Sequence, residues 1–256
     1  MSQNGASPRT ALVTGGGRGI GRAVAEGLAA DGFKIVIADL RKDESEEVAA
    51  AIISAAGEAL AVECNVADSD SVAAAVNAAQ ERFGHVDVLV NNAGWDDLKP
   101  FLATDEAFWD RIIDINFKGP LRFTRALLPG MVERKWGRII NIGSDAGRVG
   151  SSLESVYSGA KGGLIAFTKT IAREHARHGI TANVVCPGPT DTPFMRETMD
   201  AQADADAVLG AMVKSVPMRR LAAPQEIATA VRFFAADEAG YVTGQTLSVS
   251  GGLTMA

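Results

Sequence analysis

The chain has 256 residues, 47% of them hydrophobic and 22% charged, with 25 Lys and Arg against 31 Asp and Glu. This composition excludes a disordered, collagenous or coiled-coil chain, and the net charge of −6 argues against a nucleic-acid or anionic-membrane partner. A compact domain of this size buries about 70–75% of its unfolded surface and folds without a disulfide or metal staple.

Met1 to Thr10 is polar and lacks the apolar core of a secretory signal. The first predicted strand, Ala11–Thr14, leads into an Ala-rich helix over Gly19–Ala30. A second strand spans Lys34–Asp39. Asp43 starts the next helix, with Glu46 and Glu47 near its positive end, and Gly57 stops it. Strand Ala59–Glu63 is followed by a helix capped by Asp68, where Val72, Val76, Ala79 and Phe83 recur on one face. Strand Val86–Asn91 comes next. Thr104, Asp105 and Glu106 then open a longer helical segment that Pro120 and Pro129 should bend or interrupt. Strand Arg138–Ile142, helix Ser155–Arg177 and strand Thr181–Cys186 follow. Pro187–Arg220 is irregular, with weak helical patterning. Helix Pro224–Ala236 and strand Thr246–Val249 complete the chain.

Most of these strands are nearly all apolar, as parallel strands covered on both faces are. Strand and helix alternate from end to end with no linker, repeat or low complexity. The expected fold is therefore α/β: one domain over residues 1–256, a Rossmann-type doubly wound sheet of about seven parallel strands with helices on both faces. Ligands bind beyond the carboxyl ends of such strands, which makes 187–220 a candidate substrate-binding insertion. The longest uncharged run, Ala239–Ala256, is rich in Gly, Ser and Thr and does not suit a bilayer span. Cys64 and Cys186 have no metal or redox spacing. They read as small buried apolar residues in a reducing, cytoplasmic compartment. His85, His175 and His178 likewise have no metal spacing and read as surface residues.

The first strand runs into Thr14-Gly15-Gly16-Gly17-Arg18-Gly19-Ile20-Gly21. Glycines there allow a tight turn and close approach of a pyrophosphate, and the following helix offers free N–H groups. Asp39 stands at the end of the second strand, 18 residues past Gly21. That interval suits a carboxylate on the adenosine ribose. A carboxylate accepts from ribose hydroxyls and repels a 2′-phosphate, which favours NAD over NADP. Arg18 and Arg41 are the counterweight: they either neutralise a 2′-phosphate or are solvated rim charges.

Tyr157 and Lys161 stand at i and i+4 of a helix, on one face. An ammonium beside a phenol lowers its pKa and makes a usable acid/base near neutral pH. Ser144 lies 13 residues before Tyr157, just past a strand, where its hydroxyl can reach the same substrate oxygen.

Thr14 to Gly21, Asn91-Asn92-Ala93-Gly94, Ser144, Tyr157 with Lys161, Pro187-Gly188 and Gly244 through Gly252 together resemble the short-chain dehydrogenase/reductase family, over essentially the whole chain. The resemblance implies hydride transfer between a nicotinamide and an alcohol or ketone. By the same token Tyr157 is the general acid/base. Lys161 tunes it and holds the nicotinamide ribose, Ser144 orients the carbonyl, and Asn116 holds a water in a proton relay. Gly15, Arg18, Gly19, Ile20, Gly21, Asp39, Asn65, Val66, Asn91, Ala93, Gly94, Pro187, Gly188, Thr190 and Thr192 line the cofactor path. Within it, Asn91 lies near the adenosine ribose and Thr192 meets the carboxamide. Two positions depart from the family: Asn65 where an acid often holds the adenine amino group, and Ser250 where an acid often precedes Gly-Gly.

Several loops, among them Asn91 to Asp96 and Cys186 to Thr192, further resemble the 2-hydroxycyclohexanecarboxyl-CoA dehydrogenases. That implies an NAD-dependent enzyme for a cyclic 3-hydroxyacyl-CoA. The alternatives are a 3-oxoacyl carrier-protein reductase or another short-chain alcohol or sugar dehydrogenase and, in another class, a non-catalytic NAD sensor. Trp95 either walls an apolar ring pocket or packs on a neighbouring helix. Asp96 and Asp97 either are solvated or, for one of them, discourage a free carboxylic acid from entering by charge repulsion. Arg148, Arg196, Arg219 and Arg220 either meet CoA phosphates or are surface charges. Family members pair long helices and the last strand across interfaces, which implies a homotetramer.

Overall fold

Successive strand residues face opposite sides of a sheet, and in this chain both sides are apolar. The computed structural model describes residues 8–200 and 204–255, so most of the polar N-terminal segment and the last residue lie outside the described residues. In chain order the elements are β1 (Thr10–Thr14), α1 (Gly19–Ala30), β2 (Lys34–Asp39), α2 (Lys42–Ser54), β3 (Ala59–Glu63), α3 (Ser69–Phe83), β4 (Val88–Asn91), α4 (Glu106–Ile113), α5 (Gly119–Arg134), β5 (Gly137–Ile142), α6 (Ala146–Val149), α7 (Ser155–His175), β6 (Ile180–Pro187), α8 (Pro193–Asp200), α9 (Ala205–Ser215), α10 (Pro224–Ala235) and β7 (Thr246–Val249). The strands form one parallel sheet in the order β3-β2-β1-β4-β5-β6-β7.

The two faces of the sheet divide the core. Ala11, Val13, Ile35, Ile37, Val88, Val90 and Ile140 meet Val24 and Leu28 of α1, Val48 and Ile52 of α2, and Ile227, Val231 and Phe234 of α10. Their alternates, Leu12, Val36, Leu89 and Ile139, meet Val72, Val76 and Ala79 of α3 and Phe123, Leu127 and Met131 of α5. The order reverses beside β1, which pairs with β2 on one side and β4 on the other. A crevice opens there beyond the carboxyl ends of the strands.

Element boundaries agree with the sequence reading to within a few residues, except in two places. The segment opened by Thr104 is not broken at Pro120 or Pro129. Pro120 sits in the first turn of α5, where its missing N–H costs nothing, and α5 runs on through Pro129. The irregularity comes earlier, in a widened π-turn over Asp114–Lys118. A proline ring clashes with the carbonyl four residues back in a regular helix, and that carbonyl belongs to Asn116, inside the widened turn. At the end of α2 the left-handed residue is Ala56, φ 64°, rather than Gly57. Gly57 is needed for space instead, since a Cβ there would lie 2.8 Å from Ile52.

Among the described residues, no helix is long and apolar enough to cross a membrane. Cys64 and Cys186 are both free and buried.

Candidate active site

The glycine turn after β1 is shaped by contact as well as by dihedral freedom. Gly15 and Gly19 have φ of 62° and 55°, values that cost an L-residue about 1–2 kcal/mol. A Cβ on Gly21 would overlap the carbonyl oxygen of Gly15, and one on Gly17 would lie 3.1 Å from the Asp39 carboxylate. Ile20 packs against the apolar cluster beneath the turn. The loop after β4 fastens the turn from the other side. Asn92 Nδ2 donates to the carbonyls of Thr14 and Gly15 at 2.9 Å each, and the Thr14 hydroxyl accepts from the Asn92 and Ala93 N–H groups. The sequence reading gave no role to Asn92 or Thr14. Asn91, expected near the adenosine ribose, turns away from the crevice instead. Its side chain is buried and donates to Asn141, which donates on to Thr168. It is a β4 residue, and alternation sends it to the α7 side of the sheet.

Asp39 is 4% exposed. One of its oxygens accepts from Gly17 N–H and the other from Arg41 N–H, both at 2.9 Å. The carboxylate is therefore fixed in place beside the glycine turn. Arg18 does not face outward alone: it forms a bidentate pair with Glu197 of α8 and lies 3.9 Å from Glu44. Asn65, exposed after β3, uses its amide oxygen to accept from Ala67 N–H. Val66 is buried, and its carbonyl accepts from Arg122.

On the far side of the crevice, Ser144 follows β5 while Tyr157 and Lys161 stand on α7. Lys161 is 3% exposed; its ammonium donates to the Ile142 carbonyl at 2.9 Å and lies 5.5 Å from the centre of the Tyr157 ring. Burial lowers the Lys161 pKa to about 8. Asn116 projects from the π-turn and is spent on backbone: it donates to the Trp95 and Ile112 carbonyls and accepts from Trp95 N–H. A Cβ on Gly94 would lie 3.1 Å from the Asn116 oxygen and 3.8 Å from the Lys161 nitrogen. Gly94 therefore keeps the space between those two side chains clear.

In the unliganded protein desolvation and the negative charges of Glu154 and Asp96 raise the Tyr157 pKa, Ser144 lowers it, and the Lys161 ammonium is bonded to the Ile142 carbonyl. One expectation needs correcting here, that Asp96 is solvated. It is 7% exposed, and its Oδ2 has no hydrogen-bond partner. Burial, followed by the proximity of Glu154, raises its pKa to about 7. Its neighbour Asp97 does sit at the surface, paired with Lys99.

The residues after β6 cap the crevice. A Cβ on Gly188 would press on Ser250, which explains why the two backbones approach there. The Thr190 hydroxyl donates to the Gly188 carbonyl, and Asp191 N–H to that of Ala222. Thr192 caps the start of α8 by accepting from Met195 N–H, and lies 3.3 Å from where a Gly19 Cβ would be. The cap thus rests on the start of α1 and is tied to the glycine turn by Arg18 and Glu197. Trp95 is not a free wall: Phe108 meets it edge-on at 5.8 Å, and Arg111 stacks over its ring at 3.7 Å. Arg148 bonds Ser248, which in turn bonds Asp145. Arg196 pairs with Asp191, Arg219 with the Lys214 carbonyl and Arg220 with Glu226. Each arginine is engaged by a neighbour, which favours the surface-charge reading. His175 and His178 are partly buried rather than exposed, ring against ring.

The crevice thus has a glycine cradle and a fixed carboxylate at one end, and a protonated phenol over a buried ammonium at the other. Comparison with known proteins agrees. The family model described as Enoyl-(Acyl carrier protein) reductase matches residues 15–254. The chain is 41% identical to the 3-oxoacyl-acyl-carrier-protein reductase FabG of Escherichia coli, over 96% of this chain and 98% of that one. It superposes on levodione reductase with a TM-score of 0.92 at 33% identity, covering 95% and 96% of the two chains. Against an actinorhodin polyketide ketoreductase with NADPH the TM-score is 0.91 at 34% identity, covering 96% and 97%. The chain belongs to the short-chain dehydrogenase/reductase family and is an oxidoreductase acting on alcohol and keto groups.

Proposed function

We propose that the protein is a ketoreductase for 3-oxoacyl thioesters, with Tyr157 delivering the proton. The observation that carries this reading is geometric: Tyr157 and Lys161 stand one turn apart on α7, with the buried Lys161 ammonium 5.5 Å from the phenol ring centre. A phenol is protonated at neutral pH, and an ammonium near it stabilises the phenolate left when the proton passes to a ketone oxygen. The substrate class is supported by the relatives, since the carrier-protein reductase of Escherichia coli matches 96% of this chain. This replaces the cyclic 3-hydroxyacyl-CoA as the first reading. The cyclic thioester remains a second one, supported by the loop resemblance from Asn91 to Asp96.

The glycine cradle fits a dinucleotide: a side chain at Gly21 would collide with the turn itself, and the N-terminus of α1 faces the same space. The nicotinamide, when bound, supplies or takes the hydride. Asp39 would accept from ribose hydroxyls, and its buried carboxylate supports NAD over NADP; Arg18, committed to Glu197, is turned away from that task. Lys161 and Tyr157 would hold the nicotinamide ribose, Ser144 the substrate oxygen and Thr192 the carboxamide, with Asn116 fixing the Trp95 backbone beside them. Residues 187–220 would close over the substrate. The outer strand β7 exposes Leu247, which supports assembly into a homotetramer through that edge; a monomer in sedimentation at micromolar concentration would overturn this.

The test is oxidation of NADH and NADPH with acetoacetyl-CoA, a 3-oxoacyl carrier-protein thioester and 2-oxocyclohexanecarboxyl-CoA. Turnover of the straight-chain thioesters, faster with NADH, is the expected result. Turnover confined to the ring thioester would favour the second reading, and turnover only of ketones lacking a thioester would reject both.

A further inference from the structure

The corner of the crevice beside Asp39 gathers charges of both signs. Gly17 N–H donates to the Asp39 carboxylate at 2.9 Å, which places Arg18, the next residue, at the same corner. The Arg18 guanidinium is engaged from across the crevice: its two terminal nitrogens donate to the two oxygens of Glu197, one of them at 2.8 Å. Glu44 lies 3.9 Å from Arg18 and 3.6 Å from Arg41. Arg18 and Arg41 therefore face three carboxylates, those of Asp39, Glu44 and Glu197, and the corner keeps one negative charge in excess. Their basic neighbours in sequence, Arg22, Lys42 and Arg196, are paired with Glu26, Glu46 and Asp191 and do not offset it. Glu197 differs from the other two carboxylates in where it comes from. It rides on α8, in the insertion over the crevice, just after the Thr192 that lies against Gly19. Within the pair the arginine is the enclosed partner, its side chain 19% exposed against 58% for Glu197.

We propose that Glu197 is a specificity-determining residue for the nucleotide: by occupying Arg18 it denies a 2′-phosphate the guanidinium beside Asp39, and so acts together with Asp39 against NADP. The proposal rests on the reading that this corner holds the adenosine ribose. A guanidinium held fork-to-fork by a carboxylate has its paired donors used up. A phosphate arriving there must displace Glu197 and then lie beside its charge, in a corner that is already negative. With an uncharged side chain at 197, Arg18 is free to turn those donors to the phosphate. Ribose hydroxyls carry no charge and are served by Asp39, so NAD binding makes no comparable demand on Arg18. Discrimination between the nucleotides is thus shared by a strand end and by the insertion that covers the crevice.

Dissociation constants for NADH and NADPH, read from nicotinamide fluorescence, test this without turnover. The same comparison between 5′-AMP and 2′,5′-ADP, by calorimetry, isolates the ribose corner. Glu197→Gln should tighten NADPH relative to NADH about three- to fivefold, the scale of an exposed ion pair. In an Arg18→Gln background the same substitution should leave the ratio unmoved, because the gain passes through the guanidinium. Glu58→Gln removes an equal charge from the pair with Lys34 of β2 and should also leave it unmoved. A ratio that Glu197→Gln does not shift would overturn the proposal. So would a gain that persists without Arg18 or that Glu58→Gln reproduces, since either is an effect of bulk charge. Equal weakening of both nucleotides by Glu197→Gln would overturn it too, and would make the pair a strap between α8 and the glycine turn. A parent protein that prefers NADPH would reject the NAD reading of Asp39, whereas the shift on Glu197→Gln is scored against that parent and decides the proposal separately. Binding of neither nucleotide would reject both.

Discussion

Asp39 and Asp96 are the same residue type, both buried, one at each end of the crevice. Asp39 accepts two backbone N–H bonds; Asp96 has an oxygen without a partner and a second carboxyl as neighbour. A buried carboxylate given donors is held in place by them, whereas one buried without enough of them is pushed toward its protonated form. The binding end of the site is thus built from satisfied groups and the reacting end from perturbed ones, as expected where protons must move.

The sharpest break of this contrast is Tyr157→Phe. It removes the proton donor and leaves the Asp39 end untouched. We expect kcat/KM to fall about 10²–10⁴-fold while nucleotide binding, measured by quenching of protein fluorescence, is retained with at most about a tenfold loss of affinity from the missing ribose contact. Undiminished turnover would remove Tyr157 from the chemistry.

Asp39→Ala should act at the opposite end. Losing a charged acceptor costs about 1.5–3 kcal/mol, or about 10–100-fold in the NAD-to-NADP affinity ratio, with kcat for a saturating nucleotide little changed. If the ratio does not move, Asp39 does not discriminate the ribose.

Both ends depend on Asn92, which ties the β4 loop to the glycine turn. Asn92→Ala strips the Thr14 and Gly15 carbonyls of their donor, so a loss of about 1–3 kcal/mol in denaturant stability is expected. A neutral result would show that solvent or the loop replaces those bonds.

The contrast also explains what was legible in the sequence. Apolar strand runs announced the sheet, because burial on both faces leaves a period that needs no partner to be seen. Gly15 to Gly21 and Asp39 were legible because their roles are local: a turn, a strand end and a fixed interval between them. Tyr157 and Lys161 were legible through helical spacing. Asp96 was not, because two adjacent aspartates read as solvated. Its burial comes with tertiary contacts of the loop, among them a Lys99–Leu153 backbone bond between segments over fifty residues apart. The available signal was position: Asp96 stands two residues past Gly94, and Glu154 three before Tyr157. Asn91 and Asn92 show the same limit in miniature, since only the pleat of β4 decides which of two identical side chains reaches the glycine turn. Pro120 misled because its effect is displaced upstream, to the turn that holds Asn116.

The contrast can also be tested in the unliganded protein. Asp96 is raised from its ordinary range to about 7 on folding, by burial and by Glu154. Between about pH 4 and 7 the folded protein therefore binds a proton that the unfolded chain has released. Stability then falls as pH rises through that window and is flat above it, the opposite sense to a paired carboxylate. A tenfold change in proton affinity corresponds to about 1.4 kcal/mol. Asp96→Asn carries no such proton. Its denaturant midpoint, plotted as the difference from the parent protein, should climb from about pH 4 to 7 as the parent loses stability, and then level off. Parallel curves for Asp96→Asn and the parent would mean that Asp96 is as well satisfied as Asp39, and the difference between the two ends of the crevice would then lie in the phenol and the ammonium alone.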